Sequence, residues 1–211
     1  MNEAEIRALL VRLAGSLFAR GFSVGSDGNI SVRLPEGGYL ITPTNSSLGS
    51  LDPERLSRLD GDFQHTGGDK PSKEVFMHRA FYTARDDAGA VVHLHSTQAT
   101  AVSCLPDVNP DNPIPPLTPY FVMRVGRRMP IVEYYRPGNS AMEPAIHAAA
   151  RDARAILLAN HGPVVSGKTL TDAVYAAEEL EEAAKLYLML RGASPRLLTP
   201  PQVDDLLVTF G

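Results

Sequence analysis

Residues 90–96 (AVVHLHS) form a short apolar stretch that contains two histidines, and this stretch constrains the fold more than any other segment. The valines and the leucine favour a buried strand. Successive side chains of a strand point to opposite faces, so His93 and His95 are predicted to share one face. Two imidazoles on one face can bind a metal ion if a third ligand comes from elsewhere in the fold.

His161 is the best candidate for the third ligand, because it ends a second apolar segment, residues 155–162 (AILLANHG). Three imidazoles with one open coordination position are typical of a catalytic zinc site. Cys104 is the one cysteine, which argues against a thiolate site and excludes an intrachain disulfide. We expect Cys104 to be a small core residue. The alternative, in which His93 and His95 are two hydrogen-bonded histidines without a metal, stays open here.

The length of 211 residues fits one domain with a sizeable core, and we expect residues 1–211 to form a single domain. The formal net charge is −4 and the chain has no basic run, which argues against a nucleic-acid partner. No apolar run reaches membrane-spanning length, and the N-terminal residues lack the pattern of a signal peptide. A cytoplasmic protein without a membrane partner is therefore the expectation.

The remaining patterns predict hairpins and strands interspersed with helices, which is not a regular βαβ alternation. This order favours an α/β fold with α+β-like layers, in which helices flank a central, largely antiparallel sheet. The predicted helices cover residues 3–20, about a dozen residues after Ser72, residues 97–104, 140–150 and 169–191, and a short segment from Thr199. The predicted strands cover residues 30–34, 39–42, 90–96, 117–122, 131–134, 155–161 and 162–167, and a proline-rich connection covers residues 106–119.

Two polar loops contain groups that can bind an anion. Residues 25–31 (GSDGNIS) form a glycine-rich turn, and residues 43–47 (PTNSS) are rich in hydroxyl groups. Such groups can hold a phosphate, although ordinary surface turns have the same composition. Glu74 is predicted in the first turn of the helix that Ser72 caps, where a carboxylate is commonly just a favourable charge at the helix terminus. His78, one turn later, is predicted to be packed or exposed rather than a ligand.

Five motifs together resemble those of a known family, the class II aldolase and adducin family. The resemblance implies a layered α/β fold, and it implies a homotetramer with active sites at the subunit interfaces. The motifs follow the family's order and spacing over nearly the whole chain: Gly28-Asn29-Ile30-Ser31, Thr42-Pro43-Thr44, Ser72-Lys73-Glu74 with Met77-His78, His93-Leu94-His95 and Asn160-His161-Gly162.

The resemblance also implies roles for these residues. A divalent metal, usually Zn²⁺, would bind His93, His95 and His161, and other first-row ions suit the same three imidazoles. Glu74 would be the acid/base and often a fourth metal ligand, and Tyr120 matches a tyrosine that donates a proton in a neighbouring subunit's site. The substrate phosphate would contact Gly28, Asn29, Thr44 and Ser72, to which we add the neighbouring Asn45 and Lys73.

Lys73 departs from the sugar-phosphate aldolases, which tend to have a second serine before the glutamate. Residues 70–74 (KPSKE), with residues 117–120 (LTPY), 136–138 (RPG) and 178–181 (EELE), resemble a subgroup of the family, the decarboxylases of 3-oxo-tetronate 4-phosphates. The expected substrate is therefore a small phosphorylated sugar acid.

Zinc that chelates the ketone and the neighbouring hydroxyl of such a β-keto acid would polarise the ketone and stabilise the enediolate that loss of carbon dioxide leaves. Glu74 or a water would then protonate C2 and give dihydroxyacetone phosphate. Lys73 is placed nearer the phosphate, because pairing with the departing carboxylate would stabilise the ground state.

The alternatives come from the same family. Aldol cleavage passes through the same enediolate, so a fuculose-phosphate-like aldolase remains possible, as does a related epimerase or dehydratase. An adducin-like scaffold without activity is disfavoured, because a scaffold has no physical need for an open metal site.

Overall fold

The computed structural model, which describes residues 1–210, contains one sheet of eight strands in the order β4-β3-β2-β1-β5-β8-β7-β6. All neighbouring strands are antiparallel except β6 and β7, which confirms the predicted α/β fold with a largely antiparallel central sheet. The expectation of one domain over residues 1–211 includes Gly211, which lies outside the described residues. The strands are β1 (Asn29–Arg33), β2 (Tyr39–Ile41), β3 (Ser57–Leu59), β4 (His65–Gly67), β5 (Ala90–His93), β6 (Ile131–Val132), β7 (Ala155–Leu158) and β8 (Gly162–Gly167).

Helices cover both faces of this sheet, and most lie close to their predicted positions. Between Ser103 and Pro119 the chain has neither helix nor strand, as the proline-rich composition predicted. Among residues 1–210, no helix is long and apolar enough to cross a membrane. The helices are α1 (Glu3–Ala19), α2 (Val75–Ala84), α3 (Thr97–Ser103), α4 (Pro119–Val125), α5 (Glu143–Ala150), α6 (Leu170–Met189) and α7 (Pro200–Phe210), with 3-10 turns at Leu48–Ser50, Pro53–Arg55 and Ser140–Met142.

Two separate hydrophobic clusters fill the two faces of the sheet. One cluster joins the sheet to α1, α3, α4 and α6, and the other joins it to α2 and α5. Successive residues of β5 belong to different clusters: Val92 is in the first cluster and Val91 is in the second. His93, two residues after Val91, therefore lies on the face that α2 covers.

Residues 117–122 lead into α4, which begins at Pro119 with Thr118 as its N-cap, so their prediction as a strand is wrong. Local capping explains the difference, because the Thr118 side chain accepts a hydrogen bond from the Phe121 N–H and Pro119 occupies the first helical turn. Phe121, Val122 and Val125 are then buried together at helical spacing. These caps outweigh the strand-like composition of the segment.

Two further expectations need correction. Helix α2 begins at Val75, with Glu74 at the N-cap position rather than in the first turn, while the Ser72 hydroxyl accepts a hydrogen bond from the Glu74 N–H at 3.2 Å. Cys104 is exposed rather than in the core, because it lies at the C-terminal cap of α3, where the helix leaves the sheet.

Candidate metal centre

Three imidazoles meet beyond the end of β5. The Nε2 atom of His95 lies 3.1 Å from Nε2 of His93 and 3.0 Å from Nε2 of His161. Their ring centroids are 4.7 to 4.9 Å apart, and each pair of rings meets edge to face. The structure thus brings together the three histidines that the sequence selected.

Each histidine is positioned at this meeting point by a different local feature. His93 is the last residue of β5, and His95 follows two residues later, before α3 begins. His161 lies in the tight connection between β7 and β8, where Gly162 has a φ of +148°. A Cβ atom at Gly162 would lie 2.4 Å from the carbonyl oxygen of Leu94, so only glycine lets the two backbones approach so closely.

The protonation of the histidines suits metal binding. His93 Nδ1 donates a hydrogen bond to the Pro163 carbonyl oxygen at 2.9 Å, which leaves the Nε2 lone pair facing the other rings. Burial lowers the pKa of His93 well below its usual value, and the neighbouring imidazoles lower it further. Burial likewise lowers the pKa of His161, with a smaller contribution from His95. Neutral imidazoles are the form that coordinates a metal.

The spacing of the nitrogens fits a divalent ion. Zinc–nitrogen bonds of about 2.0–2.1 Å in a tetrahedral site separate the nitrogens by about 3.3 Å. The Nε2 atom of His95 lies at similar distances, 3.1 Å and 3.0 Å, from those of His93 and His161. A central ion would accept all three lone pairs, which otherwise face one another. The residues present therefore fit the metal that the family resemblance implies, although imidazole ligands do not by themselves select zinc.

Glu74 places a buried carboxylate against the histidines. Its Oε2 atom lies 3.7 Å from His93 Nε2, and its Oε1 atom lies 3.9 Å from His161 Nε2. The residue is only 5% exposed, and Asn29 Nδ2 donates a hydrogen bond of 2.8 Å to Oε2. Glu74 is therefore close enough to complete a metal site or to exchange a proton with a molecule bound there.

A pocket opens beside His95 and Glu74, and polar loops form most of its wall. Gly28 has a φ of +82°, and a Cβ there would lie 2.8 Å from the His93 carbonyl oxygen, so glycine allows this loop to lie against β5. The aliphatic part of Lys73 packs against Gly138. All six predicted phosphate contacts line the pocket: Gly28, Asn29, Thr44, Asn45, Ser72 and Lys73.

Tyr120 does not line this pocket. It lies on α4 with 62% of its surface exposed, in contrast to the buried positions of His93 and Glu74. Its phenol therefore faces outward from the chain that carries it.

Sequence reasoning missed several residues of this region. Asp27 lines the pocket, with Oδ2 3.6 Å from His95 Nδ1, and its position in the glycine-rich turn was the available signal. His78 was predicted to be packed or exposed rather than a ligand; it is buried, and its ring is hydrogen-bonded to Ser31 and to Asn29. No local pattern indicated these contacts, because they join β1 to α2.

Comparisons with known proteins find relatives over nearly the whole chain. Residues 8–188 match the family model described as Class II Aldolase and Adducin N-terminal domain. The chain is 49% identical to the 3-oxo-tetronate 4-phosphate decarboxylase of Haemophilus influenzae, over 98% of each chain. It is 31% identical to the L-fuculose phosphate aldolase of the same organism, over 100% of this chain and 95% of the aldolase. The crystal structure of YgbL from Klebsiella pneumoniae superposes with a TM-score of 0.94 at 47% identity, covering 98% of this chain and 99% of that one.

Proposed function

The chain belongs to the class II aldolase and adducin family, and on this premise we propose that it converts a 3-oxo-tetronate 4-phosphate to dihydroxyacetone phosphate and carbon dioxide. One observation carries the proposal: three imidazole nitrogens converge beside a buried carboxylate, at the edge of a polar pocket. The high identity to a decarboxylase of that substrate, over nearly the full length of both chains, supports the substrate class.

His93, His95 and His161 would hold the divalent ion, for which Zn²⁺ is our proposal. When bound, the ion supplies a Lewis acid that polarises the substrate ketone and stabilises the negative charge that develops as carbon dioxide leaves. The buried position of His93 and the largely buried position of His161 keep this charge away from bulk water, which strengthens its stabilisation.

The polar loops bind the phosphate and thereby orient the reacting end of the substrate. Gly28, Thr44, Ser72 and Lys73 all line one pocket, and they offer a backbone N–H, two hydroxyls and an ammonium group. A phosphate there fixes the substrate relative to Glu74 and His95 on the same wall. The charge of Lys73 contacts the phosphate rather than the carboxylate, because an ion pair with the carboxylate would oppose the loss of carbon dioxide.

Glu74 delivers the proton to the carbon that has lost carbon dioxide. Its two oxygens lie within 3.9 Å of Nε2 atoms of His93 and His161, so its carboxyl reaches the place where the substrate's C2 and C3 oxygens must lie. The protonated carboxyl gives its proton to C2, and a proton from solvent restores it for the next turnover.

The site is proposed to be completed by a second subunit of a homotetramer. The exposed phenol of Tyr120 fits a proton donor that acts in a neighbouring subunit's pocket. We also propose that residues 1–211 act as one domain, since a single sheet joins segments from β1 to β8. The single, exposed Cys104 fits a reducing compartment, and we propose the cytoplasm.

A class II sugar-phosphate aldolase is the second candidate function. The same chain is related to an L-fuculose phosphate aldolase, and aldol cleavage uses the same enediolate chemistry. Lys73 in place of a second serine favours the decarboxylase.

The deciding experiment is a turnover assay with zinc-loaded protein and 3-oxo-tetronate 4-phosphate, in which a coupled dehydrogenase detects dihydroxyacetone phosphate. We expect product that disappears on chelation and in the His95→Ala variant. No product from a folded, zinc-bound protein would overturn the decarboxylase assignment, and aldol cleavage of ketose 1-phosphates would then be assayed.

A further inference from the structure

A buried series of hydrogen bonds leads from the interior of the protein to Glu74. Tyr82 Oη lies 2.8 Å from Ser31 Oγ, and Ser31 Oγ lies 2.7 Å from His78 Nδ1. On the other side of the ring, His78 Nε2 lies 2.5 Å from Asn29 Oδ1, and Asn29 Nδ2 lies 2.8 Å from Glu74 Oε2. All five side chains are buried, and His78 is only 1% exposed.

The direction of every bond follows from the bond between Asn29 and Glu74. Asn29 donates to Glu74 Oε2 through its NH₂ group, so its carbonyl oxygen faces His78. That carbonyl needs a donor, so His78 carries its proton on Nε2. Nδ1 then accepts from the Ser31 hydroxyl, whose oxygen accepts from the phenol of Tyr82.

A single tautomer of His78, with the proton on Nε2, therefore matches the Asn29 amide as it faces Glu74. Burial lowers the pKa of His78 to about 3, so the ring is neutral and has one donor and one acceptor. If the proton were on Nδ1, the bare Nε2 would face the Asn29 carbonyl oxygen, and the amide would be driven to turn. A turned amide would present its oxygen to the Glu74 carboxylate, which is repulsive.

We propose that His78 is a positioning residue whose Nε2–H tautomer, held by Ser31, orients the Asn29 amide and thereby fixes the Glu74 carboxyl opposite the three histidines. The proposal rests on the proposed function only in giving Glu74 the proton-transfer step. Because Oε2 of Glu74 accepts the hydrogen bond from Asn29, the proton that Glu74 transfers is on Oε1.

The first test needs neither substrate nor turnover. In protein labelled with ¹⁵N-histidine, long-range ¹H–¹⁵N correlation spectra distinguish the two neutral tautomers, and the signal missing from His78→Gln identifies His78. We expect a neutral ring with its proton on Nε2 in both the zinc-loaded and the metal-free protein. A proton on Nδ1, or a charged ring, would overturn the proposal.

The second test compares two substitutions of similar size in the zinc-loaded enzyme. The amide of Gln can donate to Asn29 and accept from Ser31, whereas Met can do neither. We expect His78→Met to lower kcat by about 10- to 100-fold with little change in KM or zinc content, as is found when a group that orients a site residue is removed. His78→Gln should retain kcat within a few-fold.

Tyr82→Phe is the matched control, because it removes only the hydroxyl at the far end and leaves the Ser31 hydroxyl free to donate to His78. We expect its kcat to stay close to that of the wild type. Equal losses in His78→Gln and His78→Met, or a loss in KM and zinc content rather than in kcat, would show a merely structural role. A wild-type protein without decarboxylase activity would overturn the proposed function, while the tautomer would still be decided by the spectra.

Discussion

The Nδ1 atom of His93 donates a hydrogen bond of 2.9 Å to the carbonyl oxygen of Pro163, which ties the last residue of β5 to the neighbouring strand β8. Because a backbone carbonyl can only accept, the proton of this ring is on Nδ1, and Nε2 faces His95 and His161 as a lone pair. The sheet itself therefore sets the orientation of the first proposed metal ligand.

Removal of one imidazole should abolish metal binding. His95→Ala leaves two facing nitrogens, and we expect its affinity for zinc to fall by more than about 100-fold, since even residues that only orient ligands contribute 10- to 100-fold. His65→Ala is the control, because His65 is exposed on β4 and bonds only to Gly67 of its own strand. Competition with a chelating dye gives both affinities, and equal affinities for the two variants would contradict the three-histidine site.

A methyl group at Gly162 should disturb the position of His161. The new Cβ would meet the Leu94 carbonyl oxygen at 2.4 Å, and a φ of +148° disfavours any other residue. We expect Gly162→Ala to lower the free energy of unfolding by about 1–3 kcal/mol and to weaken zinc binding. Gly15→Ala is the matched control, because its Cβ would meet nothing within 4 Å and alanine in a helix gains about 0.5–1 kcal/mol. Urea unfolding measures the stability of both variants. A Gly162→Ala protein as stable as the wild type would show that the close approach of Gly162 to the Leu94 carbonyl oxygen is dispensable.

Acid should destabilise the protein partly through His78. Burial lowers the pKa of His78 from 6.5 to about 3, so between these values the unfolded chain binds a proton that the folded chain does not. This contribution to stability is complete above pH 6.5 and is lost as the pH falls towards 3. From about pH 8 to about pH 5, the wild type should lose about 2 kcal/mol more than His78→Gln.

Urea unfolding of both proteins in the presence of a chelator isolates this effect, because metal release then contributes to neither. Parallel pH profiles for the wild type and His78→Gln would mean that His78 titrates as freely in the folded protein as in the unfolded chain.

Lys73 should matter for binding of the phosphate. In Lys73→Ser the pocket loses a charge beside the phosphate, and we expect KM to rise by about 10- to 100-fold, since a charge-assisted bond contributes about 1.5–3 kcal/mol. The effect should shrink as salt screens the charge. Lys70→Ser is the control, because Lys70 is exposed and does not line the pocket. Initial-rate kinetics decide, and unchanged KM and kcat in Lys73→Ser would refute the assignment.

Tyr120 should act across a subunit interface. We expect Tyr120→Phe to lower kcat by about 10²-fold or more, the typical contribution of a positioned proton donor, while Tyr175→Phe, another exposed tyrosine, has little effect. Co-expression of Tyr120→Phe with Glu74→Gln should restore activity, because mixed oligomers contain sites with both wild-type residues. Light scattering would report the tetramer. An active monomer, or mixtures no more active than their parents, would show that Tyr120 does not serve a neighbour.

The sequence predicted that His93, His95 and His161 would meet because their signal is local. The side chains of residues 90–95 alternate with period two, and a histidine is followed by glycine at residues 161–162. Both patterns can be recognised within a single segment of the sequence. The predictions that were wrong concern segments in which local and non-local effects compete. Thr118 and Pro119 begin a helix within a strand-like composition, and Glu74 marks a helix start two residues later than Ser72 suggested.

The hydrogen bonds around His78 lay beyond sequence reasoning for a different reason. His78 and Asn29 are 49 residues apart, and neither has a spacing that identifies the other. Their meeting depends on how α2 packs across β1, which hydrophobic periodicity predicts only as a buried face. The resemblance to a known family named Asn29 and Glu74 as neighbours of one site but gave no role to the histidine behind them.

The pairing of β5 with β8 also determines when the three histidines can meet during folding. His95 and His161 are 66 residues apart, and His93 is 70 residues from the carbonyl that orients it. In an unfolded chain, His93 and His95 are close together but His161 is not. A three-histidine site can therefore form only after the chain between His95 and His161 has closed into a loop. The proposed ion is therefore expected to bind after this slow, non-local step of folding and to lower the unfolding rate rather than raise the folding rate.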